Sequence, residues 1–253
     1  MLGIIILFSF LGGVVSLVGG LVLLKKKSWS QEAMLVMISF AAGVLLSVSF
    51  TDLLPEAVTA ANEKGVEVGS LFGATLAAMA GFFLFERSFV WFHHHHGPHG
   101  DQPKPLVAMV WLGDTLHNAI DGLVITAGFF TSVPLGITTA LAVGAHELPQ
   151  EIADFSLYLA KGVDRVKTLV LNVLSSLATV ATAVAAYFLW DRIAVWQPQV
   201  LAFTAGMFIY IASSDLIPEL HRSSSKKTNP WHQTATLLLG IILVIILKSL
   251  INE

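Results

Sequence analysis

Two short runs of the sequence, DTLHNAIDG at 114–122 and HELPQEIAD at 146–154, concentrate imidazole, carboxylate and amide side chains. Seven of their side chains are candidate ligands for a cation: His117, Asn118, Asp121, His146, Glu147, Gln150 and Glu151. Asp114 and Asp154 are candidates for lining a path to such a site. Imidazole together with carboxylate suits Zn(II), Fe(II), Mn(II), Co(II) and Cd(II). Because the chain has no cysteine, any metal centre must be built from nitrogen and oxygen atoms.

Helical spacing places the central side chains of each run on one face. The first run contains the pattern H-N-x-x-D, beginning at His117, and the second contains H-E-x-x-Q, beginning at His146. At about 100° per residue, the three side chains of either pattern fall within an arc of roughly 100°. On antiparallel neighbouring helices the two patterns would surround one point with two imidazoles, two carboxylates and two amides. Glu151 lies off this stripe, so the pattern leaves its role open.

Both runs lie inside long apolar blocks. Hydrophobic residues make up 55% of the 253-residue chain and charged residues only 12%, whereas a soluble domain carries about 25% charged residues. Eight blocks come close to the roughly 20 apolar residues that cross a bilayer as a helix, at approximately 2–24, 32–55, 69–92, 106–129, 134–160, 166–190, 199–220 and 233–251. Lipid cannot satisfy free backbone groups, so the blocks must form helices. The composition predicts an all-α integral membrane protein with eight transmembrane helices in one domain, residues 1–253.

The polar runs occupy the fourth and fifth of these blocks. An ionisable side chain near the centre of a bilayer costs at least about 2.5–3.5 kcal/mol, so a cluster of them indicates a function rather than packing. Taken singly, Asp114, Asn118 and Asp154 are equally well explained as buried polar groups with hydrogen bonds across helices. Gly122 and Gly128 predict that neighbouring helices approach the fourth helix closely.

Basic residues are concentrated in the odd-numbered connections, which hold eleven of the fourteen Lys and Arg residues. The positive-inside rule then places these connections in the cytoplasm and both termini outside it. The third connection, residues 92–105, contains five candidate metal-binding histidines: His93, His94, His95, His96 and His99. We interpret this segment as a cytoplasmic loop that contacts metal; the alternative is a tolerated low-complexity loop.

Two further segments resemble each other. Residues 40–57 read FAAGVLLSVSFTDLLPEA and residues 203–220 read FTAGMFIYIASSDLIPEL, with seven of eighteen positions identical. Their predicted directions are opposite, which indicates an inverted repeat in which helices 1–3 and 6–8 flank the helix 4–5 pair, a common plan of secondary transporters. The repeat places candidate pathway residues near the two mouths: Asp52 and Glu56 outside, and Asp215, Glu219 and His221 inside. Ordinary interfacial acids are the alternative reading of these residues.

The HNAIDG and HELPQEIADF runs, the eight helices and the histidine-bearing segment resemble the ZIP (Zrt/Irt-like) family of divalent-metal transporters over nearly the whole chain. HELPQEIADF is most similar to the branch with the signature H-E-x-P-H-E-x-G-D, of which this chain looks like a compact form. Gln150 stands here in place of the second histidine, and Ala153 in place of the glycine.

The resemblance implies transport of zinc, with cadmium, iron, manganese and cobalt as further candidates, toward the cytoplasm. It implies a dinuclear centre with a primary site formed by His117, Asp121, His146 and Gln150. Asn118 and Glu147 would form the second site, which the neutral amide of Gln150 weakens. The resemblance also implies a homodimer and an elevator-like motion. We expect a multi-pass protein of the cell (inner or cytoplasmic) membrane, with the lipid bilayer and divalent metals as partners, no nucleic acid and no enzymatic activity.

Three other functions use the same residues. HELPQ is similar to HExxH, the zinc-binding pattern of metalloproteases, which makes an intramembrane protease the first alternative. The second histidine is absent and Pro149 lies inside the motif, and both features disfavour this reading. A metal-gated channel or receptor is the second alternative. Proton-coupled transport of another solute is the third, and the paired histidines weigh against it.

Overall fold

A computed structural model of the chain describes residues 1–25, 30–95, 103–160, 162–222 and 230–251. Within these ranges the protein is all-helical and contains no β-strand, which confirms the predicted fold class at that level. The α-helices are α1 (Leu2–Ser9), α2 (Leu17–Lys25), α3 (Gln31–Ser47), α4 (Leu54–Lys64), α5 (Gly69–His95), α6 (Pro103–Thr131), α7 (Val133–Ala160), α8 (Arg165–Ile193), α9 (Gln197–Tyr210), α10 (Ile217–Arg222) and α11 (Pro230–Ile251). Three π-helical segments (Phe10–Val14, Val48–Leu53 and Ile211–Leu216) and a 3₁₀ turn (Ala194–Trp196) connect some of them.

Several of these helices are apolar enough to lie in a membrane. By length and composition, three stretches of the described chain could cross it: Leu2–Val22, Glu32–Lys64 and Arg165–His221. Two shorter apolar helices cover Gly69–Leu84 and Pro230–Ile246. Helices α6 and α7, which carry the polar runs at 114–122 and 146–154, belong to neither of these two groups of described helices. The number of membrane crossings and the side on which each terminus lies stay predictions.

The two similar segments adopt the same interrupted helix. The alignment that pairs residue 40 with residue 203 also pairs the π-helical segment Val48–Leu53 with Ile211–Leu216. A π-helical segment widens the helix where the hydrogen-bond ladder shifts by one residue, and both copies make this shift just before the L-P-E or I-P-E run. Helix α3 contacts α10, and α9 contacts α4. The two copies therefore lie antiparallel, as an inverted repeat requires.

Matched glycines set how the repeats pack. A Cβ atom on Gly43 would lie 2.1 Å from the backbone oxygen of Leu237 on α11, and one on Gly206 would lie 2.4 Å from that of Thr75 on α5. These distances are too short for any side chain, so only glycine permits either contact. The two equivalent glycines thus allow α3 to pack closely against α11, and α9 to pack closely against α5.

The helices group into two bundles. The first bundle contains α1, α2, α6, α7 and α8, and the second contains α3, α4, α5, α9, α10 and α11. The bundles meet where α7 packs against α3. Within the first bundle, a Cβ atom on Gly122 would lie 2.1 Å from the backbone oxygen of Thr179 on α8, and one on Gly128 would lie 3.1 Å from Gly136 on α7. These contacts confirm the close approach predicted at both glycines.

Candidate metal centre

Helices α6 and α7 form an antiparallel hairpin, which brings the two polar runs to the same distance from the turn along the helix axes. A single residue, Ser132, links them. His117 lies fifteen residues before this link and His146 fourteen residues after it. At 1.5 Å per helical residue, the two histidines lie about 22 and 21 Å from the turn. Equal arms of an antiparallel hairpin therefore place the two imidazoles opposite each other.

Four side chains meet at this level: His117, Asp121, His146 and Glu147. One ligand atom from each lies within 4.8 Å of all the others. The two Nε2 atoms of the histidines are 3.0 Å apart. Asp121 Oδ2 is 3.4 Å from Nε2 of His146 and 3.8 Å from Nε2 of His117, and Glu147 Oε1 is 3.7 Å from both nitrogens.

The His146 ring is oriented by its own helix. Its Nδ1 lies 3.0 Å from the backbone oxygen of Ala142. A carbonyl can only accept a hydrogen bond, so Nδ1 carries the proton in this contact. The neutral ring then keeps its lone pair on Nε2, which faces the other three ligand atoms. A backbone carbonyl that holds the outer ring nitrogen is a common way to orient a metal-binding histidine.

The carboxylates of the centre are buried without hydrogen-bond donors. Asp121 and Glu147 are 0% exposed, and none of their four carboxylate oxygens has a hydrogen-bond partner among the residues that the structure describes. An unsatisfied buried polar group costs roughly 1–3 kcal/mol, and a charged one costs more. A divalent cation among these oxygens and the two Nε2 atoms would satisfy the carboxylates directly, so the residues present fit a metal ion.

The two amides of the pattern are engaged elsewhere. Gln150 donates to Asp114 Oδ1 at 3.2 Å, and Asn118 donates to the same oxygen at 3.1 Å. The side-chain oxygen of Asn118 accepts a hydrogen bond of 2.7 Å from the Thr179 hydroxyl on α8. Glu147 therefore lies in the cluster with the two histidines and Asp121. The side-chain amides of Gln150 and Asn118 instead donate hydrogen bonds to Asp114.

Helix α8 supplies polar partners that the sequence patterns missed. The Ser176 hydroxyl donates to Glu151 Oε1 at 2.7 Å, which explains why Glu151 lies off the main stripe: it faces α8. Asp154, one turn further on, is half-buried. The signal in the sequence was a stripe of small polar residues along one face of α8, and five of them are fully buried: Thr168, Asn172, Ser175, Ser176 and Thr179.

Aromatic rings from the second bundle close one side of the centre. Phe82 on α5 packs edge-to-face on His117 with ring centroids 6.1 Å apart. Phe208 on α9 lies 5.8 Å from the His146 ring. His117 keeps the only partial exposure of the four ligands, with 11% of its side chain accessible. No pattern in the sequence distinguished these two phenylalanines from the other apolar residues of their helices.

The pathway residues predicted near the two mouths lie on other elements than the four ligands, whereas Asp114 and Asp154 lie on α6 and α7. Asp52 is buried and forms an ion pair with Lys248 on α11, and Glu56 lines the same small cavity. Glu219 is half-buried on α10 and His221 is exposed near its end. Asp215 lies in the π-helical segment Ile211–Leu216, and its side chain is outside the described part of the chain.

The predicted histidine segment is described only in part. Helix α5 runs through His95 and α6 begins at Pro103, so the stretch between them is shorter than the predicted 92–105. His96 and His99 lie outside the described residues, as do the side chains of His93, His94 and His95. Their contact with metal stays a prediction.

Comparison with known proteins gives one consistent result. The family model described as "ZIP Zinc transporter" matches residues 86–248. Human zinc transporter ZIP10 is 39% identical over 146 residues, which are 51% of this chain and 17% of that protein. Zinc transporter zipt-7.2 of Caenorhabditis elegans is 36% identical over 142 residues (54% and 30%), and human zinc transporter ZIP4 is 35% identical over 153 residues (57% and 22%). The matched segments thus span less than a third of the length of each of these relatives.

Proposed function

The chain belongs to the ZIP zinc transporter family, and on that premise we propose that it carries divalent metal ions, zinc foremost, across a membrane toward the cytoplasm. The proposed transport site is the cluster of His117, Asp121, His146 and Glu147. The relatives are named as transporters rather than enzymes, which agrees with the expectation that this chain has no catalytic activity. The observation that carries the proposal is the geometry of the four ligand atoms.

Their separations suit a tetrahedral ion. Zinc binds histidine nitrogen at about 2.0–2.1 Å and carboxylate oxygen at about 2.0–2.2 Å, so neighbouring ligands of a tetrahedral site lie about 3.3–3.5 Å apart. The measured separations between the histidine nitrogens and their partners run from 3.0 to 3.8 Å. Each of these five separations is within about 0.5 Å of the tetrahedral range, and the carboxylate oxygens of Asp121 and Glu147 lie within 4.8 Å of each other.

Charge supports the same assignment. Two neutral imidazoles and two carboxylates give the centre a charge of −2, which a divalent cation cancels. A buried net charge is otherwise expensive in a low-dielectric environment. Cancelling it leaves a neutral unit that can move within the membrane.

We propose one bound ion at this centre in the arrangement described. The second metal that the resemblance implies would need the amide oxygens of Asn118 or Gln150. Asn118 uses its oxygen to accept from Thr179, and both amides donate to Asp114. A second ion at the Asn118 oxygen would therefore compete with the Thr179 hydroxyl for that oxygen, whereas the first ion leaves this hydrogen bond undisturbed.

The bundles suggest how the ion moves. All four ligands belong to α6 and α7 in the first bundle, whereas the covering phenylalanines belong to the second. We propose that the first bundle moves against the second with the ion bound. The ion would approach past Asp52 and Glu56 and leave past Asp215, Glu219, His221 and the histidine segment. The homodimer and the cell membrane location remain predictions of the resemblance.

The geometry gives the protease alternative no support. A zinc protease needs three protein ligands, a water and a general base, and the HExxH pattern requires its second ligand at position 150. Gln150 instead donates to Asp114. Glu147, the residue that would act as the base, stands among the ligands.

Uptake of zinc and cadmium into proteoliposomes tests the proposal, with wild type compared with His117→Ala and His146→Ala. We expect accumulation with wild type and none with either variant. His232→Ala is the matched control, because this exposed histidine pairs with Glu32 on the surface and takes no part in the cluster. It should transport like wild type.

Zinc binding to the purified protein completes the test. We expect about one high-affinity zinc per chain, lost in His117→Ala and His146→Ala and retained in His232→Ala. Full uptake by both cluster variants would show that the centre is structural. Zinc binding by wild type without uptake would favour the metal-gated receptor.

A further inference from the structure

A small polar cavity lies at the link between α6 and α7, remote from the metal centre. It has a volume of about 70 Å³ and is lined by Asp52, Glu56, Ser132, Leu135, Thr138 and Lys248. Three separate parts of the chain thus contribute to it: the π-helical segment Val48–Leu53 with α4, the α6–α7 link with the start of α7, and α11. We call it the mouth cavity. Leu135 precedes His146 by eleven residues on α7, which places the two side chains on one helix face about 16 Å apart.

An ammonium group already occupies this cavity. Lys248 Nζ lies 3.0 Å from Asp52 Oδ1 and also donates to the backbone oxygen of Thr51. Asp52 is only 6% exposed, and its second oxygen, Oδ2, has no hydrogen-bond partner within the described part of the chain. The Lys248 side chain is 38% exposed. A tethered cation therefore sits on a buried carboxylate and has a route to solvent.

The oxygen atoms of the cavity could not select zinc by themselves. Carboxylates and hydroxyls are the ligands that Ca²⁺ and Mg²⁺ prefer, whereas imidazole favours zinc. No described lining residue of the mouth cavity carries a nitrogen ligand, since a protonated lysine has no acceptor. With Lys248 neutral or absent, two carboxylates would give the cavity a charge of −2 and make it attractive to any divalent ion. With the ammonium present, the charge is −1 and Asp52 is engaged.

We propose that Lys248 is a specificity-determining residue that keeps hard divalent cations out of the mouth cavity. An incoming ion reaches Asp52 only by displacing the ammonium toward solvent. This displacement and the repulsion by the ammonium weaken binding of Ca²⁺ and Mg²⁺ to the cavity oxygens, so these ions block the route less. Zinc passes because its affinity resides in the imidazole-containing centre further along α7. This inference rests on the proposed transport function and assigns a role to a residue outside the metal centre.

Calcium inhibition of zinc uptake tests the proposal. Zinc uptake into proteoliposomes is measured with increasing external Ca²⁺ for wild type, Lys248→Met and Lys248→Arg. We expect the half-inhibitory Ca²⁺ concentration to fall about tenfold or more in Lys248→Met, because a unit positive charge a few ångströms from the ion is removed. Lys248→Arg keeps the charge and should behave like wild type. Equal Ca²⁺ sensitivity in wild type and Lys248→Met would overturn the proposal.

A binding measurement separates this inference from the proposed function. Equilibrium dialysis of the purified protein with radioactive Ca²⁺ needs no transport. We expect Lys248→Met to bind Ca²⁺ more tightly than wild type, and the double variant Asp52→Asn/Lys248→Met to lose that gain. Zinc binding at the central histidines reports that each variant is folded. Should wild type fail to transport zinc, dialysis still decides the role of Lys248, and unchanged Ca²⁺ binding in Lys248→Met refutes it.

Discussion

Replacing Glu147 by glutamine removes one negative charge from the metal centre while keeping the size and shape of the side chain. Loss of an outer partner of a metal ligand typically costs roughly 10–100-fold in affinity, and loss of a charged ligand should cost more. We therefore expect zinc affinity to fall by at least about 100-fold, which corresponds to about 2.7 kcal/mol. Competition with a chromophoric zinc chelator at fixed pH measures this change.

The same substitution should stabilise the metal-free protein. Among the described residues, neither carboxylate oxygen of Glu147 has a hydrogen-bond partner, and both oxygens are buried. Without a metal ion, this side chain must be buried either as a charge or after taking up a proton, and both cost more than burying a neutral amide. Thermal unfolding in detergent with a chelator present should therefore show a higher Tm for Glu147→Gln than for wild type. The increase in Tm on adding zinc should shrink, because ligand stabilisation follows the affinity.

Gln150→Leu is the matched comparison. Gln150 donates a hydrogen bond to Asp114, and neither residue belongs to the four-residue cluster. Because Gln150 is not a hydrogen-bond partner of any ligand in that cluster, the substitution should weaken zinc binding by no more than about tenfold, the low end of the effect of losing such a partner. The assignment implied by the family resemblance, with Gln150 as a primary ligand and Glu147 in the second site, expects the opposite order. A larger loss of affinity in Gln150→Leu than in Glu147→Gln would refute the coordination argued from the structure.

Two packing predictions accompany this one, both measured by thermal unfolding in detergent. Gly43→Ala should destabilise the protein by roughly 1–3 kcal/mol, because the new methyl group overlaps a backbone carbonyl of α11; Gly73→Ala, with no atom within 4 Å of its Cβ, should not. Thr179→Val should cost about 1–3 kcal/mol by leaving the buried Asn118 oxygen without a donor. Its control is Thr234→Val, since that exposed hydroxyl bonds only within its own turn. A Tm for Gly43→Ala equal to that of Gly73→Ala, or for Thr179→Val equal to that of Thr234→Val, would contradict the packing described.

The meeting of the two histidines could be foreseen from the sequence. Two polar runs on successive apolar blocks, at nearly equal distances from the residue that joins them, must come to one level if the blocks form an antiparallel hairpin. The structure contains this hairpin, with Ser132 as its link. Here the sequence was sufficient because helical rise is nearly constant, so counting residues measures distance.

The rotation of the helices could not be foreseen. Spacing sets the relative angles of side chains on one helix, but it leaves open how that helix is turned against its neighbours. In the structure, Gly122 lets α8 approach α6 closely, and Thr179 and Ser176 then hold Asn118 and Glu151. These contacts with a third helix determine which polar groups remain available to a metal ion.

The two similar segments also combine a feature that the sequence predicts with a contact that it does not. Identical residues at equivalent positions predicted two related segments, and the matched π-helical interruptions follow from that relation. The ion pair between Asp52 and Lys248 was not predictable, because it joins residues 196 positions apart on helices whose contact depends on the whole second bundle.

The sequence by itself determined the all-helical class, the membrane character, the chemistry of the central ligands and the level at which they meet. These depend on composition and on regular helical geometry, which act locally along the chain. Only the tertiary structure decided that Glu147 joins the cluster, that Gln150 and Asn118 hold Asp114, and that Lys248 covers Asp52. These depend on the packing of helices distant in sequence, which sets how each helix is rotated against its neighbours and so where each side chain points.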